Sequence, residues 1–554
     1  MMNRKMKQLA LAVGVALGGL SLVPSAQAVS VAKNNLGQAL IFPYYTVRGG
    51  WTTLFGVTNT SNQVVAVKVR FREAYNSRDV FDFNLILSPH DLWTAWVTDS
   101  PNGPVIRTED SSCTVGNIVG TGATGVTFPA PVSYVGSAAD GGPTDVDRMR
   151  EGYVEMIMMG ASPGTPAAVY PLAAGAIHGA ATGTPPGCAA LVSAFQNPAA
   201  LGSYGPCPTG TSANAGVSNT LRGEFCNYAQ IPATGTQAAP LPLQPLKGTY
   251  ALVNGAKGFN AVGLPVALQN FRNTGAMTLQ LDSVGPVPFN NSWHEPSLNS
   301  TTSTGFQFIP TPTATDPGAL SIIIGGVTGV TGALMRTNVI NEWSRRSNPA
   351  AGWVTATDWV LTFPTKNFFV DNDAGNRYAG RNNVSCPGPT GRCNATPVGT
   401  AAVAVPFTQM FVDTSATTPV RRGSSCDAIT LTLRDREERA STGLGFSPGA
   451  SPQLCYETNV LTFNQGLILN SPIAASVNYS DPFLFGWMNV GLNSIPAGAS
   501  NFGLPVVGFA ITSRDDSATA LLSEAALYDH SYVSPSTMTI GNPGYPTNGP
   551  VSPP

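Results

Sequence analysis

The sequence predicts a mainly β protein, with a β-sandwich at the N-terminus followed by a further β-rich domain with long disulfide-pinned loops. The segment 64–73, VVAVKVRFRE, alternates apolar residues with Lys68, Arg70 and Arg72. Alternation with a period of two is typical of a strand with one buried and one solvated face. Similar patterns flank this segment and are joined by short polar turns, which is the arrangement expected of a sandwich.

Residues 1–28 have the features of a secretion signal. Arg4, Lys5 and Lys7 provide a positive start, residues 9–23 form an apolar run, and residues 26–28 form a small-x-small cleavage site. We therefore expect the mature chain to begin at Val29. No cysteine stands at the cut, so we expect no lipoprotein anchor.

The charge of the chain limits its partners. Charged residues make up 11% of the sequence, against about 25% in typical soluble domains. The 29 Lys and Arg, less the three in the signal, stand against 31 Asp and Glu, which gives the mature chain a net charge of −5. This balance argues against nucleic acid or an anionic membrane surface as a partner.

Strand patterns follow the signal in order. The first group shares short lengths and polar turns, and is predicted at residues 38–46, 51–59, 64–73, 80–87 and 92–98. The pattern at 152–159, GYVEMIMM, is expected to complete the same sandwich. Later strands are predicted at 248–254, 261–271, 353–370, 428–434, 460–463 and 506–513.

The first group carries a resemblance at the level of fold. The run VTNTSNQVVAVKVRFREA, with a later LSP break, resembles immunoglobulin-like modules of bacterial surface proteins over some sixty residues. The whole chain is similar to secreted proteins of proteobacteria. The first resemblance implies an immunoglobulin-like sandwich, and the second implies export but no activity.

Five segments follow from these patterns. They are the signal at 1–28, the sandwich at 29–160, a Gly-, Pro- and Cys-rich insertion at 161–245, a C-terminal β-rich domain at 246–541, and a disordered tail at 542–554. VRFRE, ending at Glu73, resembles TLRDRE, ending at Glu437, and each precedes a Ser-Pro break. The second half is thus either a duplicated sandwich with longer insertions or a coincidental likeness.

Residues 319–335 form a long uncharged run near the lower length limit of a membrane helix. Gly325, Gly326, Gly329 and Gly332 argue against a membrane span. We instead predict a buried strand followed by a helix that runs into Asn341, and no membrane span in the mature chain.

All eight cysteines lie behind the signal, and an even number in an exported chain favours disulfides. They are Cys113, Cys188, Cys207, Cys226, Cys386, Cys393, Cys426 and Cys455. Proximity favours Cys386–Cys393 and Cys426–Cys455, with the other four pairing among themselves. The absence of CxxC and the scatter of His90, His178, His294 and His530 disfavour a zinc site.

Two kinds of catalytic or metal motif occur in weak form. GxSxG appears around Ser162 and Ser447, but proline follows each serine and has no N–H for an oxyanion hole. Both are predicted to be turns. Asp371 and Asp373 offer oxygens for a calcium loop, but no Glu closes the loop, so a turn is the default and calcium the alternative cofactor.

Charged and aromatic residues leave two interpretations open. Residues 434–439, RDREER, could hold the paired carboxylates of a glycosidase, but a solvated strand end is favoured. The tryptophans could form a sugar-stacking platform, but core packing is favoured because most lie in strand patterns. The tryptophans in question are Trp51, Trp93, Trp96, Trp343, Trp353, Trp359 and Trp487.

Three functions are compatible with these features. The leading hypothesis is an exported, non-enzymatic protein of the cell surface, extracellular space or periplasm of a Gram-negative bacterium, with a structural or adhesive role. The alternatives are a carbohydrate-binding protein or secreted glycoside hydrolase, and an outer-membrane-associated component. The expected partner is a surface protein, a polysaccharide or a second copy of the chain. Exposed aromatics beside carboxylates in a groove would favour the carbohydrate alternative.

Overall fold

The computed structural model covers the chain in many described ranges. These are residues 29–75, 77–116, 118, 124–129, 142–165, 167–196, 205–206, 221–225, 243–271, 278–279, 298, 325–348, 353–366, 407, 426–441, 444–449, 451–464, 466–479, 484–492, 503–516 and 523–534. Within them the protein is mainly β, with two pairs of facing sheets.

The first half contributes fifteen strands. They are β1 Ser30–Val31, β2 Ala39–Thr46, β3 Thr52–Asn59, β4 Val64–Glu73, β5 Asp79–Leu87, β6 Leu92–Thr98, β7 Val105–Arg107, β8 Cys113–Val115, β9 Val126–Thr127, β10 Glu151–Ser162, β11 Gly205–Pro206, β12 Leu246–Asn254, β13 Phe259–Gly263, β14 Val266–Gln269 and β15 Thr278–Leu279. Sheet A has the order β1-β14-β2-β10-β4-β5-β8, and sheet B has the order β13-β12-β3-β6-β7-β9. Strands β11 and β15 pair with each other.

Sheets A and B face each other across an aromatic core. Phe42 on β2 lies edge-on to Phe55 on β3, with ring centroids 5.5 Å apart. Phe55 in turn contacts Phe71 on β4 at 5.6 Å. Phe83 on β5 lies 5.6 Å from Trp93 on β6. The apolar half of the alternation on β4 therefore packs as predicted, because each such side chain points toward the other sheet.

The predicted domain boundary at residue 246 does not follow the sheets. Strand β12 pairs with β3 from Leu246 to Val253, and β14 pairs with β2. Residues 246–269 therefore complete sheets A and B rather than open a C-terminal domain. Strand β10 confirms the expectation for 152–159, because it lies between β2 and β4.

The second half contributes the remaining strands. They are β16 Met335–Arg336, β17 Asn338–Ser344, β18 Arg346–Asn348, β19 Trp353–Thr362, β20 Asp427–Ala428, β21 Thr430–Asp435, β22 Gly445–Ser447, β23 Gln453–Leu454, β24 Thr458–Phe463, β25 Ala475–Asn478, β26 Phe485–Gly491, β27 Leu504–Pro505, β28 Val507–Asp516, β29 Glu524–Asp529 and β30 Ser531–Val533. Sheet C has the order β21-β26-β17-β30. Sheet D has the order β22-β25-β24-β19-β28-β29, with β18 paired to β19.

Sheets C and D also face each other through aromatic side chains. Trp343 on β17 stacks on Phe463 of β24, with centroids 5.6 Å apart and planes 13° apart. Trp359 on β19 contacts the same ring at 5.8 Å. The second half therefore contains its own two-layer core.

The two sheet pairs are joined through buried contacts. The Trp51 indole N–H donates to the carbonyl of Ile468 at 2.9 Å, and the Thr362 hydroxyl donates to the carbonyl of Pro43 at 2.7 Å. Tyr44 and Phe509 bring sheets A and D together, with ring centroids 6.4 Å apart. The halves are held by directional bonds as well as by apolar packing.

Four short α-helices accompany the sheets within the described residues. They are α1 Pro171–Ala174, α2 Cys188–Gln196, α3 Leu221–Phe225 and α4 Gly325–Leu334. Leu334 at the end of α4 packs against the outer face of sheet A, in a cluster with Ile41 and Tyr153. The prediction of a helix running into Asn341 is wrong there, since Asn341 lies in β17. Among the described helices, none has the length and apolar character needed to cross a membrane.

Candidate functional site

The outer face of sheet C carries a row of three side chains from adjacent strands. Trp487 on β26 lies directly opposite Glu342 on β17 and opposite Arg434 on β21. Directly opposed side chains in antiparallel strands have Cβ atoms about 5 Å apart. The Trp487 side chain is 37% exposed, and Glu342 is also exposed. The core face of these strands carries Leu433 and Met488 instead, as alternation requires.

Glu342 and Trp487 of this row line a pocket of about 360 Å³. Thr512 on β28 and Tyr528 on β29, both in sheet D, also line it. Tyr528 is 55% exposed. The pocket therefore combines two exposed aromatic rings with a carboxylate, and residues of both sheets C and D line it.

Arg436 and Phe485 close one end of the pocket. The guanidinium of Arg436 lies over the Phe485 ring, 4.6 Å from its centroid, and it also pairs with the Glu437 carboxylate. Gly486, between Phe485 and Trp487, permits this close arrangement. A Cβ at Gly486 would lie 1.9 Å from the carbonyl oxygen of Arg434, so only glycine fits.

Buried groups fix the backbone under Glu342. The indole N–H of Trp359 donates to the Glu342 carbonyl at 2.9 Å. The Asn341 amide lies 3.0 Å from Nδ1 of His530, whose Nε2 lies 3.1 Å from the carbonyl of Val360. A carbonyl only accepts, so Nε2–H is the donor and Nδ1 accepts from Asn341. Burial lowers the pKa of His530 to about 3, so the ring is neutral.

The pocket side chains that face outward have unused hydrogen-bonding groups. Within the described part of the chain, no hydrogen bond engages the carboxylate of Glu342, the indole N–H of Trp487 or the hydroxyl of Tyr528. These three groups are an acceptor and two donors, of which the hydroxyl also accepts. The arrangement can therefore hold a ligand that presents a flat apolar face ringed by hydroxyl groups.

The charged face of β4 is a second cluster, and here the sequence prediction is wrong. Lys68, Arg70 and Arg72 are at most 1% exposed, not solvated. Neighbouring strands supply carboxylates to them. Lys68 Nζ lies 2.9 Å from Asp82, and Arg72 Nε lies 2.5 Å from Glu155. These carboxylates explain why a charged face can be buried.

The remaining contacts extend this cluster. Arg72 Nη1 lies 3.1 Å from Asp79, and Arg148 Nε lies 2.9 Å from Glu73. Burial alone lowers the pKa of Arg72, but the carboxylates of Asp79 and Glu155 outweigh that effect and raise it above its ordinary value. Glu73 and Asp79, which flank the turn between β4 and β5, are buried ion-pair partners. The cluster is a structural element rather than an open site.

Asp358 on β19 is a buried carboxyl group at the junction of the two halves. Its Oδ2 accepts the backbone N–H groups of Ile468 and Leu469 at 2.8 and 2.9 Å. Burial raises the pKa of Asp358 to about 7, against the lowering effect of these two hydrogen bonds and of Lys257. Ile468 also accepts the Trp51 bond, so Asp358 holds the segment between β24 and β25 that contacts the first half.

Two disulfides lie within the described residues, and both agree with the predicted pairings. Cys426–Cys455 is confirmed. Cys113 pairs with Cys188, a pairing within the predicted set of four. Cys207, Cys226, Cys386 and Cys393 lie outside the described residues. No cysteine of the described ranges is free.

The other predicted site residues lie partly outside the described ranges. Asp371, Asp373 and His294 lie outside the described residues. Where the chain is described, no three His, Cys, Asp or Glu side chains gather as a metal-binding group. Ser162 and Ser447 end β10 and β22.

His530 lies between β29 and β30 and is 4% exposed. The candidate tryptophans with described side chains divide into two groups. Trp51, Trp93, Trp343 and Trp359 are core residues as favoured, at most 1% exposed. Trp96 and Trp487 are partly exposed, and of these two only Trp487 lines the pocket. No signal in the sequence marked it, because its strand also supplies Met488 and Val490 to the core.

Comparison of the chain with protein-family models, curated proteins and solved structures found no match.

Proposed function

We propose that the chain is an exported, non-enzymatic protein of the cell surface or extracellular space with an adhesive role, and that it binds its partner through the pocket on sheet C. The observation that carries this proposal is the pair of exposed residues Trp487 and Glu342 in the pocket, with the unused hydrogen-bonding groups of these side chains and of Tyr528. Exposed side chains contribute little to folding stability, so binding explains their arrangement better.

Three further features support the proposal. The two disulfides fit an oxidising compartment. The low charge of the chain fits an extracellular location. The facing sheets A and B are compatible with the immunoglobulin-like module proposed from the sequence, which is a common scaffold for surface recognition. The export signal at 1–28 and the mature start at Val29 belong to the same proposal.

Fractionation tests the location. We expect the mature chain, beginning at Val29, outside the cytoplasm with Cys113–Cys188 and Cys426–Cys455 oxidised in non-reducing mass mapping. Recovery from the cytoplasm with free thiols would contradict export. Release from whole cells by added protease separates display at the surface from a periplasmic location.

Adhesion tests the role of the pocket. Beads coated with the mature chain are expected to bind to cells of the producing strain, and a Trp487→Ala, Tyr528→Ala double variant is expected to bind at least tenfold fewer beads per cell. Trp96→Ala on sheet B is the matched control, since Trp96 is a partly exposed strand tryptophan far from the pocket in sheet order. Equal loss in both variants would remove the pocket from the adhesive role. Hydrolysis of a glycan by the wild-type chain would instead support the hydrolase alternative.

A further inference from the structure

We propose that the pocket on sheet C binds a neutral polysaccharide, with one sugar ring lying on the Trp487 indole. This inference rests on the proposed binding role of the pocket and adds the class of ligand. Three properties of the site lead to it: the presence of exposed aromatic rings, the hydroxyl-binding groups around them, and the way the local charges are already paired.

The aromatic rings provide flat surfaces for a sugar. Trp487 and Tyr528 are 37% and 55% exposed and belong to different sheets. A sugar ring has a face of C–H groups and a rim of hydroxyls, so it is an amphipathic ligand that matches an exposed aromatic ring. Because both rings line the same pocket, successive units of one chain can contact both.

The polar groups match the rim of such a ring. The carboxylate of Glu342 accepts, the indole N–H of Trp487 donates, and the hydroxyl of Tyr528 does both. The backbone that carries Glu342 is held from the protein interior, through the Trp359 bond to the Glu342 carbonyl and the Asn341 bond to His530. A strand held in place before binding loses little conformational entropy when the ligand arrives.

The charge of the site selects neutral over acidic chains. The guanidinium of Arg436 is paired with Glu437 and lies over Phe485. Arg434 Nη1 donates to the carbonyl of Glu438 at 2.7 Å. Glu342 lies directly opposite the stacking ring and would repel a carboxylate on the ligand. An acidic polysaccharide therefore meets an exposed anion at the point of closest contact.

Affinity electrophoresis in gels that contain a soluble β-glucan, an α-glucan, a mannan or polygalacturonate tests the inference. We expect the mature chain to be retarded in at least one neutral gel and not in polygalacturonate. Trp487→Ala should raise the apparent dissociation constant at least about tenfold, the equivalent of about 1.4 kcal/mol. Trp487→Phe, which keeps an aromatic face, should stay within about threefold of wild type, and Trp96→Ala should not change binding.

A second pair of variants tests the carboxylate. Glu342→Ala should weaken binding to the neutral chain, while Glu342→Gln, which keeps an acceptor and removes the charge, should weaken it less and permit retardation by polygalacturonate. Circular dichroism of each variant confirms that the fold is retained.

Several outcomes would overturn the inference. They are retardation by no neutral gel, retardation by polygalacturonate alone, and equal binding by Trp487→Ala and wild type. If no gel retards the chain but the beads still adhere in a way that depends on Trp487, the carbohydrate class of ligand would be refuted and the adhesive role would stand. Sugar binding by a chain recovered from the cytoplasm would refute the proposed location but not the ligand.

Discussion

Two rows of side chains, one on sheet A and one on sheet C, each contain an arginine from a similar sequence: Arg70 lies in VRFRE and Arg434 lies in TLRDRE. The two rows nevertheless lie in opposite environments. In sheet A the row is Asp82–Arg70–Glu155 across β5, β4 and β10. In sheet C it is Arg434–Trp487–Glu342 across β21, β26 and β17. Arg70 is fully buried, whereas Trp487 is 37% exposed.

The difference comes from what the neighbouring strands supply. In sheet A the cation stands between two carboxylates, so its charge is compensated when it is removed from water. In sheet C the central residue is a tryptophan, and its two neighbours of opposite charge are separated by the ring. A charged face can therefore be part of the interior, and an aromatic residue in a strand can form an outer binding surface.

Removal of the central cation of sheet A should give the largest loss of stability. We expect Arg70→Ala to lower the free energy of unfolding by about 3–5 kcal/mol, because it leaves buried carboxylates without compensation. Arg434→Ala, the corresponding change in sheet C, should alter it by about 0.5 kcal/mol or less. Urea denaturation followed by circular dichroism measures both. Equal losses would mean that the two rows are not different in environment.

The disulfides compare the two halves directly. We expect the double variant Cys113→Ala, Cys188→Ala to lose about 2–4 kcal/mol. The variant Cys426→Ala, Cys455→Ala should lose about 1 kcal/mol less, because the closed loop is shorter. The sequence separations are 75 and 29 residues. Thermal unfolding of the two variants in parallel checks the order, and a larger loss from the shorter loop would contradict it.

The pH dependence of stability should distinguish Asp358 from the paired carboxylates of sheet A. The pKa of Asp358 is raised from 3.8 to about 7 in the folded chain. The folded state therefore binds more protons than the unfolded state across this window, and the contribution of Asp358 to stability is lost as pH rises through it. Asp358→Asn does not titrate, so the stability difference, variant minus wild type, should increase from pH 4 to pH 7.

Urea midpoints measured at half-unit steps of pH check this difference. Parallel curves for Asp358→Asn and wild type would show that the Asp358 carboxyl does not titrate between pH 4 and 7 in the folded chain. Other buried groups affect both curves alike, so they cancel in the comparison.

Loss of the exposed tryptophan should give only a small change in stability. We expect Trp487→Ala to lower the free energy of unfolding by about 1 kcal/mol or less, because a partly exposed side chain on one sheet face leaves no closed cavity. Differential scanning fluorimetry checks this value. A loss comparable to that of Arg70→Ala would indicate that Trp487 is a core residue.

Local sequence patterns predicted much of the fold, but they did not predict which faces of the sheets are buried. Strands β4 and β6 have their predicted bounds, because alternation and polar turns define a strand locally. Alternation alone does not say whether the polar face of β4 is buried. That depends on Asp82 and Glu155, which lie beside β4 on the neighbouring strands β5 and β10. Residues 246–269 were predicted as strands in the wrong domain, because strand pairing between distant segments leaves no local signal.

The pocket was unpredictable for the same reason. Trp487 and the buried Trp343 both lie in strands with alternating patterns, and only the facing sheet decides which ring is covered. The sequence did provide the competing hypotheses of core packing and a sugar platform, and it named Trp487 among the candidates.

Hydroxyl-radical footprinting with mass spectrometry tests most directly whether the Trp487 row on sheet C is exposed to solvent while the core tryptophans are buried. We predict rapid oxidation of Trp487 and Tyr528 in the native chain, with Trp51, Trp93, Trp343 and Trp359 protected until the chain is unfolded. Protection of Trp487 equal to that of Trp343 in the native protein would contradict the open pocket and the binding role assigned to it.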